Sequence, residues 1–209
     1  MEQRPVPLPP EELTDFITRV LAEDVGDGDV TAQATIPESA RLKAAFTARE
    51  DMIVAGFPLS RALVERLAPG AAIDVLIEDG GKAAAGQTIA RVEGPARGLL
   101  TAERSALNIL QHLSGIATLT HSYVEKIGHT PARLLDTRKT IPGLRRLEKY
   151  AVRMGGGTNH RMGLFDAIMI KDNHIAAAGG LKEAIRACRS HSTLPITIEC
   201  DTLDQVGMA

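Results

Sequence analysis

"RLLDTRKTIPGLRRLEKYAVRMGGGTNHRMGLFDAIMIKDNH", residues 133–174, alternates short apolar runs with amphipathic stretches, and each run leads straight into charge. "RLLDT" and "DAIMI" read as brief buried strands, and "GLRRLEKYAVRM" between them reads as a helix. The rhythm continues through "LKEAIRACRS" (181–190), "ITIE" (196–199) and "TLDQV" (202–206). Continuous apolar strands alternating with amphipathic helices mark parallel βα units. In barrels of such units, functional side chains sit just past the carboxyl ends of the strands. Those places hold Asp136, Arg138 and Lys139, then Lys171, then Glu199 and Asp201. One charged strand end is ordinarily a solvated loop. Three in register point to a site.

Upstream the pattern differs. Pro5, Pro7, Pro9 and Pro10 give an extended lead-in, followed by "EELTDFITRVLAED" (11–24), a helix with Leu13, Phe16, Ile17, Val20 and Leu21 on one face. "VGDGDVT" (25–31) stops it. "RLKAAFTAREDMIVAG" (41–56) reads as two short strands, "PLSRALVERLAP" (58–69) as a helix, and "AAIDVLIEDGGKAAAGQTIARVEG" (71–94) as strands between glycine turns. Residues 97–128 form a long helical pattern with Leu99, Leu100, Leu107, Leu110, Leu113 and Ile116 on a broad apolar face. Ser114-Gly115 predicts a break in it.

Composition limits what such a chain can do. Across 209 residues, 24 Lys and Arg face 26 Asp and Glu, a net charge of −2. A general nucleic-acid binder carries a basic surplus, so any cationic site here is made by placement. Aromatics are 3% with no Trp, which leaves no platform for stacking bases and gives the core to aliphatic side chains. Cys188 and Cys200 lack metal-type spacing and read as reduced core residues. No apolar signal core or membrane-length stretch is visible, so a soluble, cytoplasmic protein is expected.

The cations suggest a ligand. Gly155–Gly157 could be a helix stop or a backbone cradle for an anion, but the triplet lacks the Gly-Lys-Ser/Thr pattern of a P-loop. His160 and Arg161 follow at once. A lone histidine is more often structural, yet Arg161 beside it and Lys171 at a strand end draw this one toward the site. Arg138, Lys139, Arg161 and Lys171 together would repel one another in an empty fold, which implies a polyanionic ligand gripped by arginine forks and lysine point charges. Each charge-assisted bond contributes about 1.5–3 kcal/mol. Glu199 and Asp201 do not suit a pure anion trap. They suggest a divalent cation, sugar hydroxyls or a developing positive charge.

"EDVGDGDVT" (23–31), "LLTAERSALNILQHLSGIAT" (99–118), the run 134–174 and "IECDTLDQV" (198–206) closely resemble the quinolinate phosphoribosyltransferase family, the carboxylating nicotinate-nucleotide pyrophosphorylases. The likeness spans nearly the whole chain, and "DTRKT…GGGTNHR…IKDNH" is its most specific part. The resemblance implies an α/β protein: an amino-terminal α/β sandwich domain, here 1–108, followed by an open α/β barrel, here 109–209. It also implies conversion of quinolinate and phosphoribosyl pyrophosphate to nicotinate mononucleotide, CO₂ and pyrophosphate in de novo NAD synthesis. By resemblance, Arg138, Arg161 and Lys171 hold the dicarboxylate, with Thr137 and Lys139 in the same loop and His160 in the same pocket. Lys139, Lys171 and Glu199 take the catalytic roles. Arg104 matches an arginine that reaches the neighbouring subunit's site, implying a homodimer or a larger assembly. Glu199 matches an acidic residue near the ribose and Mg²⁺, the metal arriving with phosphoribosyl pyrophosphate and not on protein ligands alone. Asp201 either joins it or caps the next helix.

The chain departs from the family pattern at Thr197, where an acidic residue is usual, and at Cys200, where an aliphatic one is. It ends at "TLDQVGMA", where family members continue through further βα units that hold the 5-phosphate. The barrel is therefore expected to be truncated in this chain, with "GMA" not continuing the helix, and full activity is not expected of the chain alone. Other readings are a paralogous protein associated with molybdenum transport, an aldolase-like barrel with Lys171 as a Schiff-base lysine, and a non-catalytic truncated subunit.

Overall fold

The computed structural model describes residues 7–209, and the chain divides into two units, one ending at Asn159 and one beginning at His160. The expected lead-in at Pro5 falls outside the described residues. Helix α1 (Pro10–Asp24) starts at a proline, whose missing N–H is no loss in a first turn, and it carries Glu11 and Glu12 where the helix dipole favours acid. Phe16 and Ile17 are its buried residues. Helix α2 (Val30–Thr35) is capped by Asp29, whose carboxylate accepts the Ala32 N–H at 2.9 Å.

The expected strands and helix of residues 41–94 are present: β1 (Arg41–Thr47), β2 (Met52–Ile53), α3 (Phe57–Leu67), β3 (Ala72–Val75), β4 (Lys82–Ala83) and β5 (Thr88–Pro95). The order β1-β5-β3 makes an antiparallel sheet, with Ala44 opposite Val92 and Ile73 opposite the same residue on the other side. β2 and β4 pair separately. Phe46, Ile89 and Val92 of the sheet share one core with Leu59 and Leu63 of α3. Phe46 and Phe57 meet edge to face at 5.5 Å.

Helix α4 (Ala96–Ile127) corrects one expectation, because it runs unbroken through Ser114-Gly115. Ser114 serves a different purpose. Its hydroxyl accepts the Ala55 N–H at 2.9 Å, and one turn later the Thr118 hydroxyl accepts the Ile53 N–H, also at 2.9 Å. The polar pair satisfies the buried backbone between β2 and α3, so it signals packing, not a stop. Close approach is enforced at Gly98, where a Cβ would lie 2.1 Å from the Leu67 carbonyl oxygen. The expected domain boundary at 108/109 lies within α4.

Helix α5 (Arg145–Met154) follows, buried continuously from Leu147 to Ala151. "RLLDT" forms no full strand. Leu135 makes a single parallel bridge to Thr158, supported by Asp136 N–H to Thr158 O at 3.1 Å and Thr158 N–H to Leu134 O at 2.8 Å. The glycine triplet is a helix stop and not an anion cradle. The N–H groups of Gly155, Gly156 and Gly157 donate to the carbonyls of Ala151, Arg153 and Val152 at 2.9–3.0 Å, and Gly156 takes φ +90°. Buried Asp79 links α5 to α3. It accepts the N–H groups of Gly56 (2.7 Å) and Phe57 (3.1 Å) and the Tyr150 hydroxyl (2.7 Å).

The second unit is β6 (Ile168–Ile170), α6 (Asp172–Ala177), α7 (Leu181–His191), β7 (Ile196–Ile198) and α8 (Leu203–Met208). β6 and β7 pair in parallel, with Ile168 opposite Ile196 and Ile170 opposite Ile198. Ile170, Leu181, Ala184 and Ile185 form its core, with Cys188 packed against them, and both cysteines are free thiols. α8 continues through Gly207 and Met208, contrary to the expected stop.

Candidate active site

Lys171 and Glu199 each sit one residue past the carboxyl end of a strand, β6 and β7, and those strands are neighbours. The Glu199 N–H extends the ladder to Ile170 O at 2.9 Å. Parallel register therefore places the two side chains side by side, and Lys171 Nζ reaches Glu199 Oε2 at 2.7 Å. Both are substantially exposed, at 42% and 56%. The Lys171 N–H donates to His174 Nδ1 at 3.1 Å, which fixes the start of α6 directly after the lysine.

Arg161 is half-buried, and its Nη1 donates to the Ala167 carbonyl at 3.3 Å, a contact that steadies the guanidinium just ahead of β6. His160, also half-buried, precedes it. Asp201 is exposed and does not cap α8. Thr202 does that, accepting the Gln205 N–H at 3.2 Å, while Gln205 Oε1 accepts the Asp201 N–H at 2.6 Å. His160, Arg161, Lys171, Glu199 and Asp201 all belong to the second unit.

Thr137, Arg138 and Lys139 belong to the first. The Lys139 N–H donates to Thr137 Oγ1 at 3.0 Å, and the Thr140 N–H to Arg138 O at 3.0 Å, so the loop is tightly turned. Lys139 is exposed and Arg138 half-buried. Arg138 Nε is buried and makes no hydrogen bond among the described residues. A buried donor of this kind calls for an acceptor. Asp136, read from the sequence with the strand-end charges, faces inward instead: it is ion-paired with buried Lys149 and accepts Asn159 Nδ2 at 2.6 Å. Arg104 lies elsewhere in this unit, exposed on α4, lining a hollow of about 540 Å³ with Arg49 and Gln111.

Sequence reasoning passed over Arg145, Glu148, Lys149 and Asn159. Lys149 is 1% exposed, in the middle of a stretch whose charge pattern reads as a solvated helix face. Lys149 sits inside "LEKYA", every residue of which is buried, and no spacing in the sequence marks that lysine as an inward one.

The family model "Quinolinate phosphoribosyl transferase, N-terminal domain" matches residues 29–114, and the corresponding C-terminal domain matches 116–209. Over 196 residues the chain is 44% identical to the nicotinate-nucleotide pyrophosphorylase [carboxylating] of Mycobacterium leprae, covering 92% of this chain and 69% of the relative. A probable enzyme of the same name from Synechocystis is 44% identical, with 93% and 66% covered. The tobacco (Nicotiana tabacum) quinolinate phosphoribosyltransferase [decarboxylating] 1b is also 44% identical, but only 57% of it is covered. The chain thus spans about two thirds or less of these relatives' lengths. Among solved structures, NadC from Streptococcus pyogenes superposes with a TM-score of 0.92 at 38% identity, over 97% of this chain and 74% of that one. The nicotinate-nucleotide pyrophosphorylase from Francisella tularensis gives 0.91 at 42%, over 97% and 72%. Matched along both parts of its length by the family's own models, the chain belongs to the quinolinate phosphoribosyltransferase family.

Proposed function

We propose that the chain carries the diacid-binding part of a phosphoribosyltransferase that joins quinolinate to the ribose of phosphoribosyl pyrophosphate and releases CO₂ and pyrophosphate. The observation that carries this reading is the Lys171–Glu199 pair, an exposed ammonium and carboxylate at 2.7 Å on adjacent parallel strand ends. An exposed pair of this kind is weak, so a ligand carboxylate can take the ammonium and free Glu199 to face a developing positive charge. The buried Arg138 Nε adds a donor suited to an anion.

In this reading Arg138, Arg161 and Lys171 hold the two carboxylates, with Thr137, Lys139 and His160 around them, and the clamp aims the pyridine nitrogen at the anomeric carbon. As pyrophosphate leaves, Glu199 steadies the oxocarbenium-like ribose, with Asp201 beside it. The nitrogen attacks, and once quaternary it draws electrons from the ring, so that the adjacent carboxylate departs as CO₂ and the ring carbon, left with the bonding pair, takes a proton from water. Positioning of this kind supplies roughly 7–11 kcal/mol in favourable cases.

Mg²⁺ would enter as a companion of the second substrate. Among the described residues no cluster of three or more His, Cys, Asp or Glu can hold a metal, and Mg²⁺ is commonly bound by one or two carboxylates together with substrate phosphates. Glu199 would be the protein's contribution, and the bound ion would neutralise charge on the leaving pyrophosphate. Arg104 would serve a second copy of the chain in a homodimer, and the protein would work in the cytoplasm. Among the described residues no helix is long and apolar enough to cross a membrane.

Formation of nicotinate mononucleotide from the two substrates tests the activity. Arg138→Ala should weaken quinolinate far more than phosphoribosyl pyrophosphate, and equal losses would refute the division of labour. The aldolase reading is not favoured, because Lys171 is partly exposed and engaged by Glu199 where a Schiff-base lysine needs an apolar pocket.

A further inference from the structure

One face of α5 is left without a role by the reading above. Arg145, Glu148 and Lys149 stand at i, i+3 and i+4, and so on one side of the helix. Each holds a different point of the segment 136–141, which carries Thr137, Arg138 and Lys139. Arg145 Nε donates to Thr140 Oγ1 at 3.1 Å. Glu148 Oε2 accepts the Ile141 N–H at 3.3 Å, while its Oε1 lies 3.1 Å from His112 Nε2 of α4. Lys149 Nζ donates to Asp136 Oδ1. Asn159 completes the set, its Nδ2 donating to Asp136 Oδ2 at 2.6 Å and to the Lys149 carbonyl at 2.8 Å.

Burial makes this arrangement informative. The Lys149 and Asp136 side chains are 1% and 6% exposed, and Glu148 is buried too. A buried ion pair is a poor device for stability alone, since apolar side chains of equal volume often do as well. What apolar side chains cannot do is fix direction at both ends of a loop. Charged hydrogen bonds can, and here they hold residue 136 at one end and residues 140 and 141 at the other.

We propose that Arg145, Glu148, Lys149 and Asn159 form a clamp that sets the 136–141 segment in one backbone conformation before ligand arrives, so that Arg138 and Lys139 are preorganised for a small dianion. They are positioning residues. The inference rests on the proposed function for the identity of the ligand, and on the hydrogen bonds alone for the clamp.

Amide hydrogen exchange on the whole chain, without ligand, tests the clamp, and quinolinate titration tests its consequence. Glu148→Met should speed exchange at Ile141 and its loop neighbours about tenfold or more while the amides of β1 and β5 keep their rates. Glu148→Gln retains an acceptor and should restore most of the protection. Asn159→Ala repeats the test from the other end, removing a neutral donor to Asp136 with no change of net charge. Quinolinate affinity should fall about tenfold in Glu148→Met and recover in Glu148→Gln. An unchanged loop, or faster exchange spread evenly over the unit, overturns the clamp. A loosened loop with unaltered quinolinate affinity overturns the preorganisation. No quinolinate binding by the parent chain, with the loop still loosened by Glu148→Met, overturns the ligand reading and leaves the clamp standing.

Discussion

Two lysine–carboxylate pairs in this protein use the same chemistry in opposite surroundings. Lys149 and Asp136 are 1% and 6% exposed, whereas Lys171 and Glu199 are 42% and 56% exposed. The buried pair cannot exchange its partners for water, so removing one member strands a charge in the interior. The exposed pair loses little when it parts, because water and salt stand ready to replace either side. The first is architecture, and the second is available to a ligand. Sequence position alone does not separate them, since Asp136 and Lys171 both follow apolar strand-like runs.

The sharpest way to break this contrast is Lys149→Met. Stranding Asp136 should cost about 3–5 kcal/mol in urea unfolding, and a loss under about 1 kcal/mol would mean that the pair is not buried in solution. Next in size is Arg138→Ala, which should weaken quinolinate binding by the equivalent of about 1.5–3 kcal/mol in calorimetric titration, with phosphoribosyl pyrophosphate little affected. Lys171→Met sharpens the comparison from the other side. It should change unfolding stability by less than about 1 kcal/mol while quinolinate affinity drops. A large stability loss there would make the second pair architectural as well.

The smallest expected effect is pH-dependent and belongs to two carboxylates, half-buried Asp29 and exposed Glu125. The Ala32 N–H, and then the Thr101 hydroxyl, hold Asp29 below the usual aspartate range, and Lys82, then His121, do the same for Glu125. A depressed folded pKa gives stability that is present above the ordinary value and lost as pH falls through the folded one. The melting temperature should therefore slope gently downward from about pH 5 to pH 3. Asp29→Asn keeps a competent cap and should flatten part of that slope. An unchanged slope would detach Asp29 from it.

The sequence is most legible where one period governs a segment. The amphipathic helices α1, α3 and α7 and the parallel strands β6 and β7 follow from spacing, and so do Lys171 and Glu199 at the strand ends. It is less legible where polar groups serve distant backbone. Ser114 looks like a helix breaker because its partner, Ala55, is remote in sequence. "RLLDT" has strand composition, yet Leu135 makes an isolated parallel bridge, to Thr158, in place of a strand pairing. The anion-cradle reading of the glycine triplet fails because its N–H groups already serve the end of α5. Lys149 and Glu148 escape notice for a related reason: charge reads as surface until a buried partner is known.

Calorimetric titration of the chain with quinolinate, beside nicotinate as a one-carboxylate control, tests the central claim most directly. Saturable 1:1 binding of quinolinate is expected, with nicotinate weaker by about tenfold or more. Equal affinity for the two acids, or no heat from either, would contradict a site built to hold two carboxylates.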